Sequence, residues 1–315
     1  MHVRARPTLL YGALIAHTLI SAGTYLFAKR TLQEIPALPL GLIRFSGASL
    51  TLGLLLLRLR PPGQRMPPRA LWRKLLLLSF VAVPINQGFF LYGLQLSTAG
   101  HAALLYMLTP LFVLLLAQAL IGESPGWRTA LGTALALAGT VFVLVQRGLD
   151  LSRGPLVGDL LILVAVVAWA VYTTEGREVV SQAGTLPTIA WTMIGGTLLF
   201  LPIGLGSLLV PANRLAVAHA SNAAWSGLAY LILMTSVVAY LFWYWALKHL
   251  AAARVAIFAN LQPLATAFLA HVFLGERVTL AFVGGALVVI CGVLLAQWRA
   301  QPDASEEALL ESPVK

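Results

Sequence analysis

Long apolar segments separated by short polar gaps make up most of the chain, and this pattern restricts it to one kind of fold. Each segment is roughly 20 residues long, the length with which an α-helix crosses the hydrocarbon core of a bilayer. Lipid offers the backbone no hydrogen-bond partners, so each segment must form a helix. The sequence therefore predicts an all-α membrane protein with ten transmembrane helices, at residues 8–28, 38–57, 72–94, 99–121, 127–146, 156–174, 187–210, 224–246, 253–275 and 279–298.

Composition excludes the main soluble classes of protein. Charged residues make up only 10% of the chain and the mean hydropathy is +0.86, whereas soluble domains carry about 25% charged residues. The net charge is +10, but the basic residues lie in the gaps and form no nucleic-acid-binding motif. We expect the lipid bilayer and a small-molecule substrate as partners, and no nucleic acid. With Cys291 as the one cysteine, we expect no internal disulfide, and we expect neither a metal site nor a cofactor.

The first apolar segment follows Arg4 and Arg6, as the hydrophobic part of a signal peptide would. It is about 20 residues long, however, and lacks a convincing cleavage site between small residues. We therefore interpret it as a spanning helix.

One stretch of the chain occurs twice. Leu91–Glu123 resembles Tyr244–Glu276, 153 positions further on. The same offset relates Pro110 to Pro263, Glu123 to Glu276, Gly132 to Gly285 and Gly139 to Gly292. The earlier parts of the two halves match more weakly, with Gly47 and Gly195 at an offset of 148. The sequence thus predicts two repeats, residues 8–146 and 156–298, followed by a disordered cytoplasmic tail at 299–315.

Five helices in each repeat is an odd number, so the two repeats must face opposite ways in the membrane. If the N-terminus is in the cytoplasm, fourteen Lys and Arg residues lie in cytoplasmic segments and six lie in the gaps on the outer side. This bias places both termini in the cytoplasm. Inverted repeats bind their solute near the bilayer midplane, where the two halves meet.

Arg44 and His17 are ionisable groups in the interior of predicted helices, where a charge is costly and indicates a functional site. Arg44 either faces a cavity and binds a substrate carboxylate, or extends to the outer interface. His17 is a candidate for proton coupling, and the alternative is a hydrogen-bonded packing histidine. The sequence alone does not decide either case.

Pro110 and Pro263 interrupt equivalent helices, which is the sequence feature that best locates a transporter's binding site. Each is a candidate hinge, or else only shapes helix packing. Asn260 and Gln262 either line the cavity or bond the carbonyls that Pro263 leaves free. The other predicted substrate-binding residues are Tyr106, Thr109, Trp169, Tyr172 and Trp191. Glu123 and Glu276 end their helices and are interpreted as structural.

No catalytic motif occurs in the chain: it has no HExxH, GxSxG, P-loop or dinucleotide fingerprint. Paired Asp or Glu residues are also missing from the predicted membrane core. We therefore expect no enzymatic activity and predict a transporter. The alternative is a membrane-embedded receptor or sensor without transport.

Four stretches of the chain resemble the EamA family of the drug/metabolite transporter superfamily. They are the repeated ALLYMLTPLFVLLLAQALIGE and FANLQPLATAFLAHVFLGE, and LGLIRFSGASLTLGLLLL and GDLLILVAVVAWAVYTTEGR. The resemblance covers nearly all of residues 8–298. It implies a ten-helix secondary carrier in the cell membrane, with two EamA repeats around a central cavity. It also implies export of amino acids or other small metabolites. Arg44, Pro110, Glu123, Pro263 and Glu276 match motif positions of the family.

Reporter fusions test the predicted topology. Because basic residues are retained on the cytoplasmic side, fusions at Gln33, Arg65 and Lys315 should report outside, inside and inside. Paired alkaline phosphatase and fluorescent-protein activities measure this. An outside signal at Lys315 would contradict the inverted repeat.

Overall fold

The computed structural model describes residues 7–60, 66–97, 99–121, 126–146, 156–262, 264–265 and 280–297. All regular structure in these ranges is helical. The helices are α1 (Pro7–Leu32), α2 (Ala37–Leu59), α3 (Arg69–Leu96), α4 (Ala99–Tyr106), α5 (Thr109–Ile121), α6 (Trp127–Gln146), α7 (Leu156–Ala183), α8 (Thr185–Ser207), α9 (Pro211–Ala218), α10 (Asn222–Leu247), α11 (Ala252–Leu261) and α12 (Leu280–Gln297).

The described residues include six helices that are long and apolar enough to cross a membrane: α1, α2, α3, α7, α8 and α10. Shorter apolar helices lie at Thr109–Leu120, Ala252–Leu261 and Val283–Ala296. The prediction of an all-α, multi-pass membrane protein is therefore confirmed. Pro263, Glu123 and Glu276 lie outside the described residues.

The predicted segment at 99–121 is two helices rather than one, and Pro110 explains the break. A proline ring clashes with the carbonyl four residues earlier, which here belongs to Tyr106. Helix α4 ends at Tyr106, a turn follows, and α5 begins at Thr109. The proline thus stands in the first turn of α5, where its missing N–H is not needed.

Two spanning helices are locally widened into π-helix. The π-helical segment of α3 is Val81–Gln87 and contains Pro84, which cannot donate to the helical ladder. That of α10 is Leu231–Ala239 and contains no proline; the local sequence does not explain it. Segments of this kind occur frequently at functional sites.

Helices α2 and α8 pack against each other in antiparallel directions. Thr197 Oγ1 donates to the Phe45 carbonyl (3.1 Å), and its oxygen lies 2.8 Å from Ser49 Oγ. Ser49 and Thr197 are 148 positions apart, the offset that relates the early parts of the two halves. Equivalent residues therefore meet each other where the two helices cross.

Helices α6 and α12 cross in the same antiparallel manner, through glycines. A Cβ added at Gly132 would lie 2.5 Å from the Gly292 carbonyl oxygen, and one at Gly139 would lie 3.0 Å from that of Gly285. Only glycine allows so close an approach of two backbones. The offset of 153 relates Gly132 to Gly285 and Gly139 to Gly292. The contacts run the other way: Gly132 meets Gly292, and Gly139 meets Gly285.

Polar contacts hold the ends of the spanning helices. Lys29 on α1 donates to the carbonyls of Leu94 (2.8 Å) and Ser97 (2.5 Å), and so caps the C-terminus of α3. At the other end of α3, Lys74 forms ion pairs with Glu175 and Glu178 of α7. Helix α3 is thus held at both ends.

The loop between α1 and α2 is tied to the start of α10. The Ser221 N–H donates to Glu34 Oε2 (2.7 Å) and the Ser221 hydroxyl to Glu34 Oε1 (2.8 Å). These bonds stabilise the carboxylate and lower the pKa of Glu34.

The glycine crossing predicts opposite effects of one substitution at two positions of α12. Gly292→Ala should destabilise the fold by about 1–3 kcal/mol, because the new Cβ would lie 2.6 Å from the Gly132 oxygen and the Ala136 nitrogen. Gly284→Ala meets nothing within 4 Å and should be neutral or stabilising by up to about 1 kcal/mol. Thermal unfolding of the purified protein in detergent measures both, and equal midpoints would contradict the packing.

Candidate functional site

A cavity lies between helices from both halves of the chain. It has about 500 Å³ of atom-free space, including the space at its open side. The described residues that line it are His17, Ser21, Thr24, Tyr25, Arg44, Gln87, Phe90, Tyr106, Trp169, Thr235, Ala239, Tyr240 and Gln262. The cavity is thus rich in aromatic and hydroxyl groups, with one permanent charge.

That charge belongs to Arg44, whose side chain is completely buried. Its Nε–H donates to Ser236 Oγ in the π-helical segment of α10 (3.0 Å). Within the described part of the chain, Nη1 and Nη2 are buried and have no hydrogen-bond partner. Arg44 therefore lies inside the protein rather than at the membrane surface, with the outer edge of its guanidinium unbonded.

Helix α1 contributes a polar stripe to the cavity. His17 Nδ1 lies 2.9 Å from the Ala239 carbonyl, which can only accept, so Nδ1 carries the proton. Nε2 of the neutral ring then accepts from Ser21 Oγ (3.3 Å). Thr24 Oγ1 lies 2.8 Å from Thr235 Oγ1. Arg44, His17 and Thr24 are therefore all bonded to the π-helical segment of α10.

Further polar groups are held in place by hydrogen bonds between helices. Tyr25 donates to Gln262 Oε1 (3.1 Å), which positions the residue before Pro263. Asn86 Nδ2 donates to the Tyr106 hydroxyl oxygen (3.0 Å) and to the Ala165 carbonyl (2.7 Å). The π-helical segment of α3, which contains Asn86, thus positions Tyr106 at the break between α4 and α5.

An aromatic cluster closes one side of the cavity. The Trp169 ring centroid lies 5.3 Å from that of Tyr240 and 5.6 Å from those of Tyr172 and Trp243. Trp243 also packs on the His17 ring, at 4.6 Å. Buried hydrogen bonds fix this cluster: Trp243 Nε1 donates to Thr173 Oγ1, and the Tyr244 hydroxyl donates to the Tyr172 carbonyl.

The structure brings part of the predicted site together. Of the predicted substrate-binding residues, Arg44, Tyr106, Trp169 and Gln262 line the cavity, as does His17, the coupling candidate. Tyr172 lies behind Trp169.

The other predicted residues lie elsewhere. Thr109, Pro110 and Asn260 are buried but are not among the residues that line this cavity. Trp191 packs against Trp72, with 5.6 Å between the ring centroids, near the N-terminus of α3.

Sequence reasoning missed several lining residues, and a signal for some of them was present. His17, Ser21 and Thr24 recur at the helical spacing of four and three, which is a polar stripe on an otherwise apolar helix. Tyr25, Phe90, Thr235, Ala239 and Tyr240 carry no comparable signal. The positions of the four on α3 and α10 depend on how these helices turn in their π-helical segments; Tyr25 lies on α1.

Comparison with known proteins identifies the family. The profile of the EamA-like transporter family matches residues 8–145 and again residues 156–298. An uncharacterized transporter of Archaeoglobus fulgidus is 31% identical over 88% of this chain and 93% of its own length.

Two further comparisons add a name and a fold. A protein of Streptantibioticus cattleyicolor, named a probable terminal-alkyne amino-acid exporter, is 32% identical over 64% of this chain and 65% of its own. A solved crystal structure superposes with a TM-score of 0.69, covering 92% of this chain and 97% of its own, at 19% identity. The similarity to that structure shows the fold alone.

Because the two terminal nitrogens of Arg44 have no hydrogen-bond partner in the described part of the chain, we predict that removing the charge of Arg44 stabilises the fold. Arg44→Met keeps much of the side chain's volume and removes a buried charge without a counter-ion, so the free energy of unfolding should rise by about 1–4 kcal/mol. Arg73→Met, at an exposed position, should change it by less than about 0.5 kcal/mol. Thermal unfolding in detergent measures both. A loss of stability in Arg44→Met would show that the bond to Ser236 outweighs the cost of the charge.

Proposed function

Because the chain belongs to the EamA-like transporter family, we propose that it is a secondary transporter that exports amino acids or other small metabolites across the cytoplasmic membrane. One observation carries the proposal: a cavity shared by helices of both halves, in which Arg44 is the one permanent charge among the described lining residues and its terminal nitrogens have no hydrogen-bond partner among the described residues. A buried charge without a partner is costly unless a ligand compensates it. The export direction is supported by the name of the Streptantibioticus relative.

We further propose that the chain crosses the membrane ten times, as two inverted five-helix repeats with both termini in the cytoplasm. The antiparallel contacts of α2 with α8 and of α6 with α12 support this arrangement. Between α2 and α8, two residues related by the repeat offset contact each other. Between α6 and α12, each glycine contacts the repeat equivalent of the other glycine on its own helix. Such a relation is expected of a two-fold axis that lies in the plane of the membrane.

Alternating access then consists of movement of the two halves around the cavity. The break before Pro110 and the π-helical segments of α3 and α10 are points at which the helices can bend. All three border the cavity, through Tyr106, Gln87 and Thr235. We propose no catalytic role for the chain, and no cofactor.

A flux assay tests transport directly. Purified protein in phosphatidylcholine vesicles should move at least one solute from a panel of amino acids and small metabolites faster than protein-free vesicles do. A correctly folded protein that moves none of them would favour the receptor alternative and contradict the proposal.

Within this assay, Arg44→Ala should reduce flux at least tenfold, while its insertion into the membrane changes by less than twofold. The physical reason is that Arg44 contributes the charge of the described lining, whereas within the fold its guanidinium makes one hydrogen bond, to Ser236, and lies 5.1 Å from the Phe45 ring centroid. Arg73→Ala is the matched control and should retain the flux of the unchanged protein. Normal flux in a normally inserted Arg44→Ala protein would remove Arg44 from the transport mechanism.

A further inference from the structure

The charge of the cavity specifies the kind of solute that it fits. Arg44 is fully buried, and Ser236 bonds only its Nε. Arg44 lines the cavity, and its two terminal nitrogens are buried and have no hydrogen-bond partner in the described part of the chain. A guanidinium edge of this kind matches the two oxygens of a carboxylate or a sulfonate, through two parallel hydrogen bonds. The unbonded edge is therefore a subsite for an anion.

Nothing among the described lining residues offers a counter-charge. That lining contains one arginine, neutral polar and aromatic side chains, and neither Asp nor Glu. His17 holds its Nδ1 proton against the Ala239 carbonyl and presents Nε2 to Ser21. A solute with an ammonium group would find no carboxylate in this lining. The cavity therefore favours a net negative charge over a zwitterion or a cation.

The rest of the lining suits an apolar body. Tyr25, Phe90 and Tyr106 form one group of rings, with centroids 5.5–6.0 Å apart. Trp169 and Tyr240 form another, 5.3 Å apart. Aromatic faces bury apolar surface at little entropic cost and stack well on other rings. An anionic group at Arg44 can thus be combined with an aromatic or branched apolar group against these rings.

We propose that the cavity takes amphipathic solutes with one net negative charge and moves them as anions. The inference rests on the proposed transport function and narrows its substrates to small metabolites that have a net negative charge and no ammonium group, rather than zwitterionic amino acids. When such a solute is bound, the charge of Arg44 is neutralised; when the cavity is empty, the positive charge remains. Each export cycle therefore moves one negative charge outward, so that the membrane potential acts on transport. An inside-negative potential drives the anion out of the cell.

Binding tests the charge class with three ligands that share one body. They are 3-phenylpropionate, phenylalanine and phenethylamine, which carry an anion, a zwitterion and a cation on the same phenylethyl group. In thermal-shift titrations of the full chain in detergent, 3-phenylpropionate should bind at least tenfold more tightly than the other two. Arg44→Gln should weaken its binding at least tenfold, and Arg44→Lys should keep the preference for the acid with lower affinity.

Arg73→Gln is the matched control for these titrations, since it removes an exposed positive charge, and it should leave all three affinities unchanged. Tighter binding of phenylalanine or phenethylamine would overturn the inference. So would the absence of any shift with 3-phenylpropionate, or a shift that Arg44→Gln does not change.

Flux tests the movement of charge. 3-Phenylpropane-1-sulfonate is permanently ionised, so it does not cross the lipid as a neutral acid. In phosphatidylcholine vesicles with a potassium gradient and valinomycin, an interior-positive potential of about 100 mV should concentrate it roughly fiftyfold at equilibrium. Equal concentrations inside and outside would overturn the inference, and transport itself would remain established if any flux exceeds that of empty vesicles. Failure of every solute in the metabolite panel would instead overturn the proposed function.

Discussion

The backbone of this chain has to satisfy its own hydrogen bonds inside lipid, and the rest of the structure follows from that constraint. It makes every described span a helix and forces polar side chains to bond inward. Thr18 donates to the Leu14 carbonyl (2.9 Å) and Thr31 to that of Phe27 (2.8 Å). Hydroxyl groups used in this way cost little in an apolar span, because they bond within their own helix.

Departures from regular helix are found where the cavity is. The break before Pro110 and the two π-helical segments border it, and each presents a polar group to it. A widened or broken helix leaves backbone and side-chain groups that its own ladder does not bond. Such irregularity is tolerated at membrane depth only where it is buried in protein or lines a cavity. The site and the irregular backbone are therefore one feature of the fold.

The two halves differ at equivalent positions around the cavity. At the offset of 148 that aligns α2 with α8, Ser21 and Thr24 of α1 correspond to Trp169 and Tyr172 of α7. The first pair are small and polar, and the second pair belong to the aromatic cluster. Because small side chains leave space and large ones fill it, the cavity extends toward α1 and is closed on the side of α7. Divergence between the repeats thus shapes an asymmetric site within a symmetric arrangement of helices.

The residues alone predicted the class of fold, the family and an arginine within a spanning segment, because these depend on local properties. Apolar length, the repeat offset and an arginine within a span can be read without knowing which helices touch. Tertiary structure alone decided that Arg44 is bonded through Nε to Ser236 and that His17 is bonded to Ala239. It also decided that Trp191 lies beside Trp72 and not in the cavity. Those outcomes depend on the rotation of each helix about its own axis, and π-helical segments change that rotation without a reliable signal in the residues that form them.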